Sequence, residues 1–364
     1  MAQFQVRKNQ FETHRVAATD DRVDDSLVKE GDVLLRVVRF AFTANNITYA
    51  VAGDSLGYWQ FFPALGADFE GWGMTPVWGF ADVVASKADG VALGERLFGY
   101  FPPASFLTIT PVRISQLRLF DGAPHRAKLP PGYNSYTRVN AEPGYDRRMD
   151  AIRMLLFPLH LTAFCLWDML QSRDWFGARQ VLILSASSKT SIGLAFAISE
   201  DAAAPPAIAL TSERNAAFVA QLGLYQQVLN YTGFEGLDTQ IPSVIVDMSG
   251  NAEALAALKL ALGDNMRRCI NVGMTHWQAG VPTASTGADR SEFFFAPSHV
   301  QKRMQDWGVE EFATRTSDFL RRSAMHSRSW MKVSTLAGLD GLAAVYPDIC
   351  AGRIAAEQGL VVQM

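Results

Sequence analysis

A run of small polar residues follows a short apolar segment in the middle of the chain. Residues 181–184 (VLIL) are an unbroken apolar run, typical of a strand buried on both faces of a parallel sheet. Residues 185–191 (SASSKTS) come next, and from residue 192 the apolar residues recur at helical spacing. Because backbone N–H groups at a helix start can hold phosphate, the strand, turn and helix together indicate a dinucleotide-binding turn.

The predicted phosphate ligands lie in this turn and in the first helical residues. The pattern G-x-G-x-x-G does not occur: only Gly193 remains, where we expect the helix to lie close to the strand, and Ser187 and Thr190 stand at the other two places. Their hydroxyl groups could bind phosphate oxygens, although their Cβ atoms restrict φ. A strand–helix turn without a ligand is the alternative. The predicted cofactor-binding residues here are Ser187, Ser188, Lys189, Thr190, Ser191 and Gly193.

Apolar segments alternate with helical patterns after this turn. The segments at 207–210, 227–231, 243–247 and 268–273 make five short strands with the first one, which predicts an α/β fold with a doubly wound parallel sheet. Residues 1 to about 150 instead contain many short strand patterns separated by Gly and Pro, which indicates a small β-barrel. The sequence therefore predicts two domains of different architecture.

The order of these segments resembles the zinc-free medium-chain dehydrogenase/reductases, the branch with quinone oxidoreductases and enoyl reductases. The matching stretches are VLILSASSKTSIGLAFAI, IALTSERNAAFVAQLGLYQQVLNYT, SVIVDMSGN and CINVGMT. FTANNITYA and EFFFAPSHVQKR further resemble an uncharacterised branch of that superfamily, a domain of unknown function. The resemblance implies a Rossmann cofactor domain over residues 153–308. It also implies a GroES-like β-barrel domain over residues 1–152, completed by 309–364.

The end of the second predicted strand indicates which nucleotide would bind. A ribose 2′-phosphate requires hydroxyl groups and a cation, which Ser212 and Arg214 supply, whereas the intervening Glu213 is the residue type that accepts from a free 2′-hydroxyl. The resemblance implies that Tyr231 lies beside the adenosine phosphate; a strand-end tyrosine with an exposed hydroxyl is the alternative. Together these residues favour NADPH over NADH.

Further residues of both domains follow from the resemblance. Gly250, Gly273 and Met274 would let the backbone approach the nicotinamide and its ribose, although the two glycines are also ordinary strand-end residues. In the first domain, Tyr58 or Tyr49 would donate a proton to an oxygen that gains negative charge during hydride transfer.

Several alternatives stay open for these side chains. Tyr58 could instead be an aromatic packing residue. Asn46, with its neighbour Asn45, would hydrogen-bond a carbonyl or the carboxamide, and helix capping is the equal alternative. His160 is a weaker candidate, because a buried histidine satisfied by the fold is the more common case.

Composition excludes several other classes of function. The chain has 364 residues, a net charge of −3 and 49% hydrophobic residues, so we expect a globular protein that binds neither nucleic acid nor anionic membranes. We expect no stretch to cross a bilayer, and the N-terminus has no apolar leader pattern, so cytoplasm is the predicted location. No cysteine precedes Cys165, and His14 and His125 have no second ligand at useful spacing, which predicts a zinc-free protein.

The sequence therefore predicts an NADPH-dependent, zinc-independent oxidoreductase. It would transfer hydride to a carbonyl, a quinone or an activated double bond of a small-molecule substrate in the cleft between the domains. The alternative is a non-catalytic NADPH-binding or sensor protein, because the glycine pattern is eroded and no catalytic acid is unmistakable. The resemblance also implies a homodimer.

Overall fold

The computed structural model describes residues 1–18, 28–66, 68–234, 236–272 and 290–364. The chain forms two compact units: residues 1–155 with 332–364 make the first unit, and residues 156–331 make the second. The sequence predicts the domain boundaries between residues 152 and 153 and between residues 308 and 309. Residues 309–331 lie in the second unit because Phe312 and Phe319 are buried in its core.

The first unit is built mainly from short strands. In chain order its elements are β1 (Ala2–Arg7), β2 (Gln10–Ala18), β3 (Val33–Phe42), α1 (Ala44–Val51), β4 (Trp72–Gly73), β5 (Val77–Ser86), β6 (Arg96–Phe101), β7 (Phe106–Ile109), β8 (Pro111–Val112), β9 (Arg118–Asp121) and β10 (Ser135–Arg138).

Helix α2 (Asp150–Ser172) begins in the first unit and continues into the second. The second unit then contains β11 (Gln180–Leu184), α3 (Lys189–Ser199), β12 (Ala207–Thr211), α4 (Glu213–Gln221), β13 (Gln227–Asn230), β14 (Ser243–Asp247), α5 (Ala252–Leu262), β15 (Met266–Val272), β16 (Ser291–Phe294), α6 (Ala296–Trp307) and α7 (Val309–Ser327). The chain returns to the first unit with β17 (Lys332–Ala337), α8 (Gly338–Cys350) and β18 (Gln358–Gln363).

The described residues of the first unit form two sheets. The larger has the order β17-β18-β3-β5-β6-β10-β9-β8, with β7 paired to β3, and the smaller has the order β2-β1-β4. β18 pairs with β3, so the end of the chain completes the larger sheet. Phe4, Phe42 and Tyr346 meet in the core that the sheets share with α8, at ring-centroid distances of 5.0–6.1 Å.

The second unit has the predicted parallel sheet. Its order is β13-β12-β11-β14-β15-β16, and each neighbouring pair is parallel. The strand order reverses between β11 and β14, which is where open α/β sheets bind ligands at the carboxyl ends of their strands. The α/β prediction is confirmed, and the sheet contains a sixth strand, β16, that the sequence did not indicate.

Helices cover both faces of this sheet. Alternate residues of β11 point to opposite faces: Val181 and Ile183 pack with α2, α3 and α7, whereas Leu182 and Leu184 pack with α5. Burial on both faces explains why the strands are continuously apolar.

In the part of the chain that the structure describes, one helical segment is long and apolar enough to span a membrane. It covers residues Arg147–Ser172, so the prediction that no stretch is long and apolar enough was wrong. Its residues Cys165, Leu166, Met169 and Leu170 are buried in the core of the second unit. This packing is that of a core helix.

Candidate functional site

The turn between β11 and α3 is held by two phenols. Ser185 has a left-handed backbone with φ of 60°, a conformation that favours glycine. Its N–H donates to the Tyr231 hydroxyl at 2.7 Å, and the Tyr225 hydroxyl donates to the carbonyl of Ala186 at 2.8 Å. The Tyr231 hydroxyl thus contacts the turn itself, and its place beside the adenosine phosphate stays a prediction. These two side-chain hydrogen bonds thus hold the turn in a backbone conformation that otherwise favours glycine.

The serine hydroxyls of the turn make different hydrogen bonds. The Ser188 oxygen caps α3 by accepting from the Ser191 N–H at 3.2 Å, and the two hydroxyls are 2.8 Å apart. Ser191 is fully buried and also contacts the sulfur of Met248 at 3.2 Å. Its side chain therefore packs within the fold, and its role as a phosphate ligand stays a prediction.

The other predicted phosphate ligands of this turn are Ser187, Lys189 and Thr190. The Ser187 hydroxyl accepts from the Asn215 amide at 2.9 Å, which leaves its own proton to donate. Lys189 and Thr190 are the first two residues of α3 and are partly exposed. Asn215 was not predicted; its place in the first turn of α4, after a strand end, was the available signal.

Gly193 has a different role from the predicted one. A Cβ atom there would lie 2.8 Å from Cδ2 of His160 and 2.9 Å from Cβ of Ala163. Both neighbours belong to α2. The glycine therefore permits close packing of α3 against α2, rather than against the strand.

The ends of β12 and β13 carry unsatisfied polar atoms. Among the described residues, Oγ1 of Thr211 and Oδ1 of Asn230 are buried without a hydrogen-bond partner, and the two residues are aligned in the sheet register. Ser212 precedes α4 and its hydroxyl makes no capping bond, while Arg214 is exposed in the first helical turn. Buried polar atoms of this kind are expected where a ligand or water binds.

A buried carboxylate ends the neighbouring strand β14. Asp247 is 2% exposed, and its Oδ1 accepts from the N–H and the hydroxyl of Ser249 at 2.8 and 2.6 Å. Burial raises the pKa of Tyr231, and the charge of Asp247 adds to the shift. Gly250 follows with φ of 64°. The predicted residues Gly273 and Met274 lie outside the described residues.

Four tyrosines form one cluster in the first unit, which we call the tyrosine cluster: Tyr49, Tyr58, Tyr100 and Tyr133. The rings of Tyr49 and Tyr58 are 4.5 Å apart, those of Tyr100 and Tyr133 are 4.7 Å apart, and the hydroxyls of Tyr58 and Tyr133 are 3.4 Å apart. Burial raises the pKa of each phenol, so all four stay protonated at neutral pH. Tyr100 and Tyr133 were not predicted.

The two candidate proton donors have different surroundings. Tyr49 is 5% exposed, and its ring lies 5.9 Å from the ring of the fully buried Tyr100. Tyr58 is 6% exposed and pairs with Tyr133, which is partly exposed. Of the two candidates, Tyr58 is the one whose hydroxyl contacts that of a partly exposed tyrosine.

Asn46 is used by the fold. Its Oδ1 accepts from the N–H of Thr43 at 2.8 Å in a capping box that starts α1, and its Nδ2 donates to the carbonyl of Pro76 at 2.8 Å. At 4% exposure the side chain is committed to these bonds. The structure thus shows Asn46 in the capping alternative, and its catalytic role stays an untested prediction.

No metal centre is evident in the part of the chain that the structure describes. There, no group of three or more His, Cys, Asp or Glu side chains is placed to hold a metal ion. Zinc independence stays a prediction.

Solved structures of other proteins share this fold. CurA from Vibrio vulnificus in complex with NADPH is similar with a TM-score of 0.63 and 12% identity, covering 100% of this chain and 99% of that one. The JamJ enoyl reductase, in its apo form, has a TM-score of 0.59 at 12% identity, with 100% and 99% covered. The yhdH oxidoreductase from Salmonella enterica in complex with NADP has a TM-score of 0.54 at 12% identity, with 100% of both chains covered.

The chain also matches one sequence family, which is a smaller group than the proteins that share its fold. Residues 40–355 match the family described as "Protein of unknown function (DUF2855)", and the chain belongs to that family. No protein with a curated description matches the sequence.

Proposed function

We propose that the protein is an NADPH-dependent oxidoreductase that reduces a carbonyl, a quinone or an activated double bond of a small molecule. The observation that carries the proposal is the turn after β11: it lies at the carboxyl end of a central parallel strand and opens directly into α3. Two of the similar solved structures are complexes with NADPH or NADP, which supports the nucleotide.

The residues of the second unit fit a dinucleotide phosphate. Ser187 and Thr190 would donate hydroxyl protons and Lys189 a positive charge to the pyrophosphate, which would lie at the N-terminal end of α3. Ser212 and Arg214 would bind the 2′-phosphate. The buried polar atoms of Thr211 and Asn230 lie at the same edge of the sheet.

When bound, the nicotinamide supplies the hydride. The remaining task of the chain is to provide a proton, and we propose Tyr58 for it, with Tyr49 as the alternative. A neutral phenol can stabilise negative charge on the acceptor oxygen and then protonate it. The bond between the Tyr58 and Tyr133 hydroxyls supports Tyr58, because Tyr133 can orient that hydroxyl and return a proton to it.

The proposal is tested with quinones, enals and ketones as acceptors, by following NADPH absorbance. With an accepted substrate, Tyr58→Phe should reduce kcat about a hundredfold or more, the usual scale for a general acid, and leave NADPH affinity unchanged. Tyr49→Phe is the matched control, since it removes a neighbouring buried phenol.

Three results would change the account. If only Tyr49→Phe reduces kcat, Tyr49 is the donor. If neither substitution does, the proton comes from solvent. NADPH binding without any accepted substrate would favour the non-catalytic role. Zinc independence, a homodimer, a cytoplasmic location and an acceptor site in the cleft stay predictions.

A further inference from the structure

Two loops of the first unit expose apolar side chains beside one another. Val112, Ile114 and Leu117 lie in the hairpin of β8 and β9 and are 39%, 37% and 43% exposed, and Leu93, in the loop before β6, is 69% exposed. A Cβ atom on Gly90, in the same loop as Leu93, would lie 3.8 Å from Cγ2 of Ile114. We call the four apolar residues the hairpin patch.

A mostly buried ion pair joins the two loops. Arg138, on β10, pairs with Glu95 at the end of the loop before β6. Its guanidinium also donates to the carbonyl of Gly90 at 2.9 Å and to that of Ser115 at 2.8 Å. The side chains of Arg138 and Glu95 are only 19% and 10% exposed. The fold therefore holds both loops, and the exposed apolar residues that they carry, next to each other.

Positive charge flanks the hairpin patch. Residues 111–118 contain Arg113 and Arg118 and no acidic residue. Both arginines are exposed, and the guanidinium of Arg113 lies 4.4 Å from the centre of the Phe120 ring, which keeps this cation beside the apolar residues. The loop at 87–95 adds no net charge, because its lysine balances its aspartate and its glutamate is neutralised in the ion pair. The surface as a whole is therefore positive.

The size of the patch and its edge strand argue against a second copy of this chain as the partner. A stable protein–protein interface buries about 800 Å² of each partner, well above what four partly exposed side chains offer. β8 is the last strand of the larger sheet, but it has only two residues and begins with Pro111, which has no N–H to donate to another strand. Pairing of two such edges is therefore disfavoured.

We propose that the hairpin patch docks the protein on an anionic lipid surface. The apolar side chains would enter the boundary between headgroups and acyl chains, and Arg113 and Arg118 would meet negatively charged headgroups. The net charge of −3, from which we expected no binding to anionic membranes, describes the whole chain, whereas this surface is positive. The inference does not rest on the proposed NADPH site.

The test is co-sedimentation of the full chain with lipid vesicles. Wild-type protein should bind vesicles of phosphatidylcholine with phosphatidylglycerol at least about tenfold more tightly than vesicles of phosphatidylcholine alone. It should leave the anionic vesicles in about 0.5 M salt, which screens exposed charges. The double substitution Ile114→Ser with Leu117→Ser should weaken binding to the anionic vesicles about tenfold or more. Leu260→Ser is the matched control: Leu260 is 86% exposed on α5 of the second unit, and this variant should bind as wild type does.

A second pair of variants tests the role of charge. Arg113→Glu should weaken binding to the anionic vesicles about tenfold, because it replaces an attracted charge with a repelled one. Arg328→Glu changes the net charge equally at an exposed position after α7 and should have little effect. All of these variants should keep the wild-type melting temperature, since each replaced side chain is exposed.

Several results would overturn the inference. These are wild-type protein that binds neither kind of vesicle, equal binding to both kinds, and a loss in Leu260→Ser as large as that in the hairpin variant. Light scattering that shows a wild-type dimer and a monomer of the hairpin variant would assign the patch to a second copy of the chain instead. NADPH takes no part in these measurements, so their failure would leave the proposed function standing.

Discussion

Replacing Gly193 with alanine adds one methyl group between two packed helices. The new Cβ would lie 2.8 Å from His160 Cδ2 and 2.9 Å from Ala163 Cβ, whereas ordinary contacts are 3.4–4 Å. Neither neighbour can move away easily, because both are almost completely buried. We therefore expect α3 to shift by about 0.5 Å, a displacement that already disturbs a binding site.

The expected loss of stability is the difference between two terms. Overpacking of a close contact costs about 1–3 kcal/mol. Replacing glycine by alanine within a helix stabilises the folded protein by about 1 kcal/mol. The net loss should be about 1 kcal/mol, which lowers the melting temperature of a unit of this size by about 2–4 °C. NADPH affinity should fall more, about tenfold or beyond, because the shifted turn carries the proposed phosphate ligands.

Urea unfolding and NADPH titration measure the two effects. Gly341→Ala in α8 is the control, since its Cβ would meet its nearest atoms at 3.4 Å, and this variant should gain stability. Adding Ala163→Gly to Gly193→Ala should recover part of the NADPH affinity, because it removes one of the two close neighbours. A Gly193→Ala protein that is more stable than wild type and binds NADPH normally would refute this reasoning.

Two further predictions concern the charged and phenolic groups. Arg214→Ala should weaken the binding of NADPH about 10–100-fold and that of NADH little, because a charge-assisted bond to the 2′-phosphate is lost. Equal losses of affinity for the two nucleotides, measured by calorimetry, would place Arg214 away from the 2′-phosphate. Raised pKa values in the tyrosine cluster mean that, above about pH 10, the unfolded chain releases protons that the folded chain keeps. The free energy of unfolding should therefore fall by about 1.4 kcal/mol per pH unit for each phenol, as the midpoints of urea unfolding would show. The decrease should be less steep in Tyr133→Phe, which has one phenol fewer. Phenols that titrate near pH 10 without loss of structure would contradict this prediction.

Local sequence patterns were sufficient to predict the second unit's sheet. A strand such as 181–184 is apolar throughout because both of its faces are covered, and the polar turn after it is visible within a few residues. The sixth strand, β16, was missed because it is short and follows residues that carry no strand pattern of their own.

The contacts within the candidate site could not be predicted in the same way. His160 and Ser323 are 163 residues apart, and the hydroxyls of Tyr58 and Tyr133 meet across 75 residues. The sequence indicated that Asn46 could cap a helix, but not that Pro76 would take its amide. Contacts between residues so far apart in the sequence depend on the completed packing of the fold. The residue type alone therefore leaves both a functional and a structural role open at each of these positions.

The central claim is that the second unit binds NADPH at the turn between β11 and α3. The most direct measurement is the melting temperature with and without NADPH. At a hundred times its dissociation constant the nucleotide should stabilise the protein by about 2.7 kcal/mol, equivalent to about 5–10 °C for a unit of this size. A melting temperature that does not change in millimolar NADPH would contradict the account.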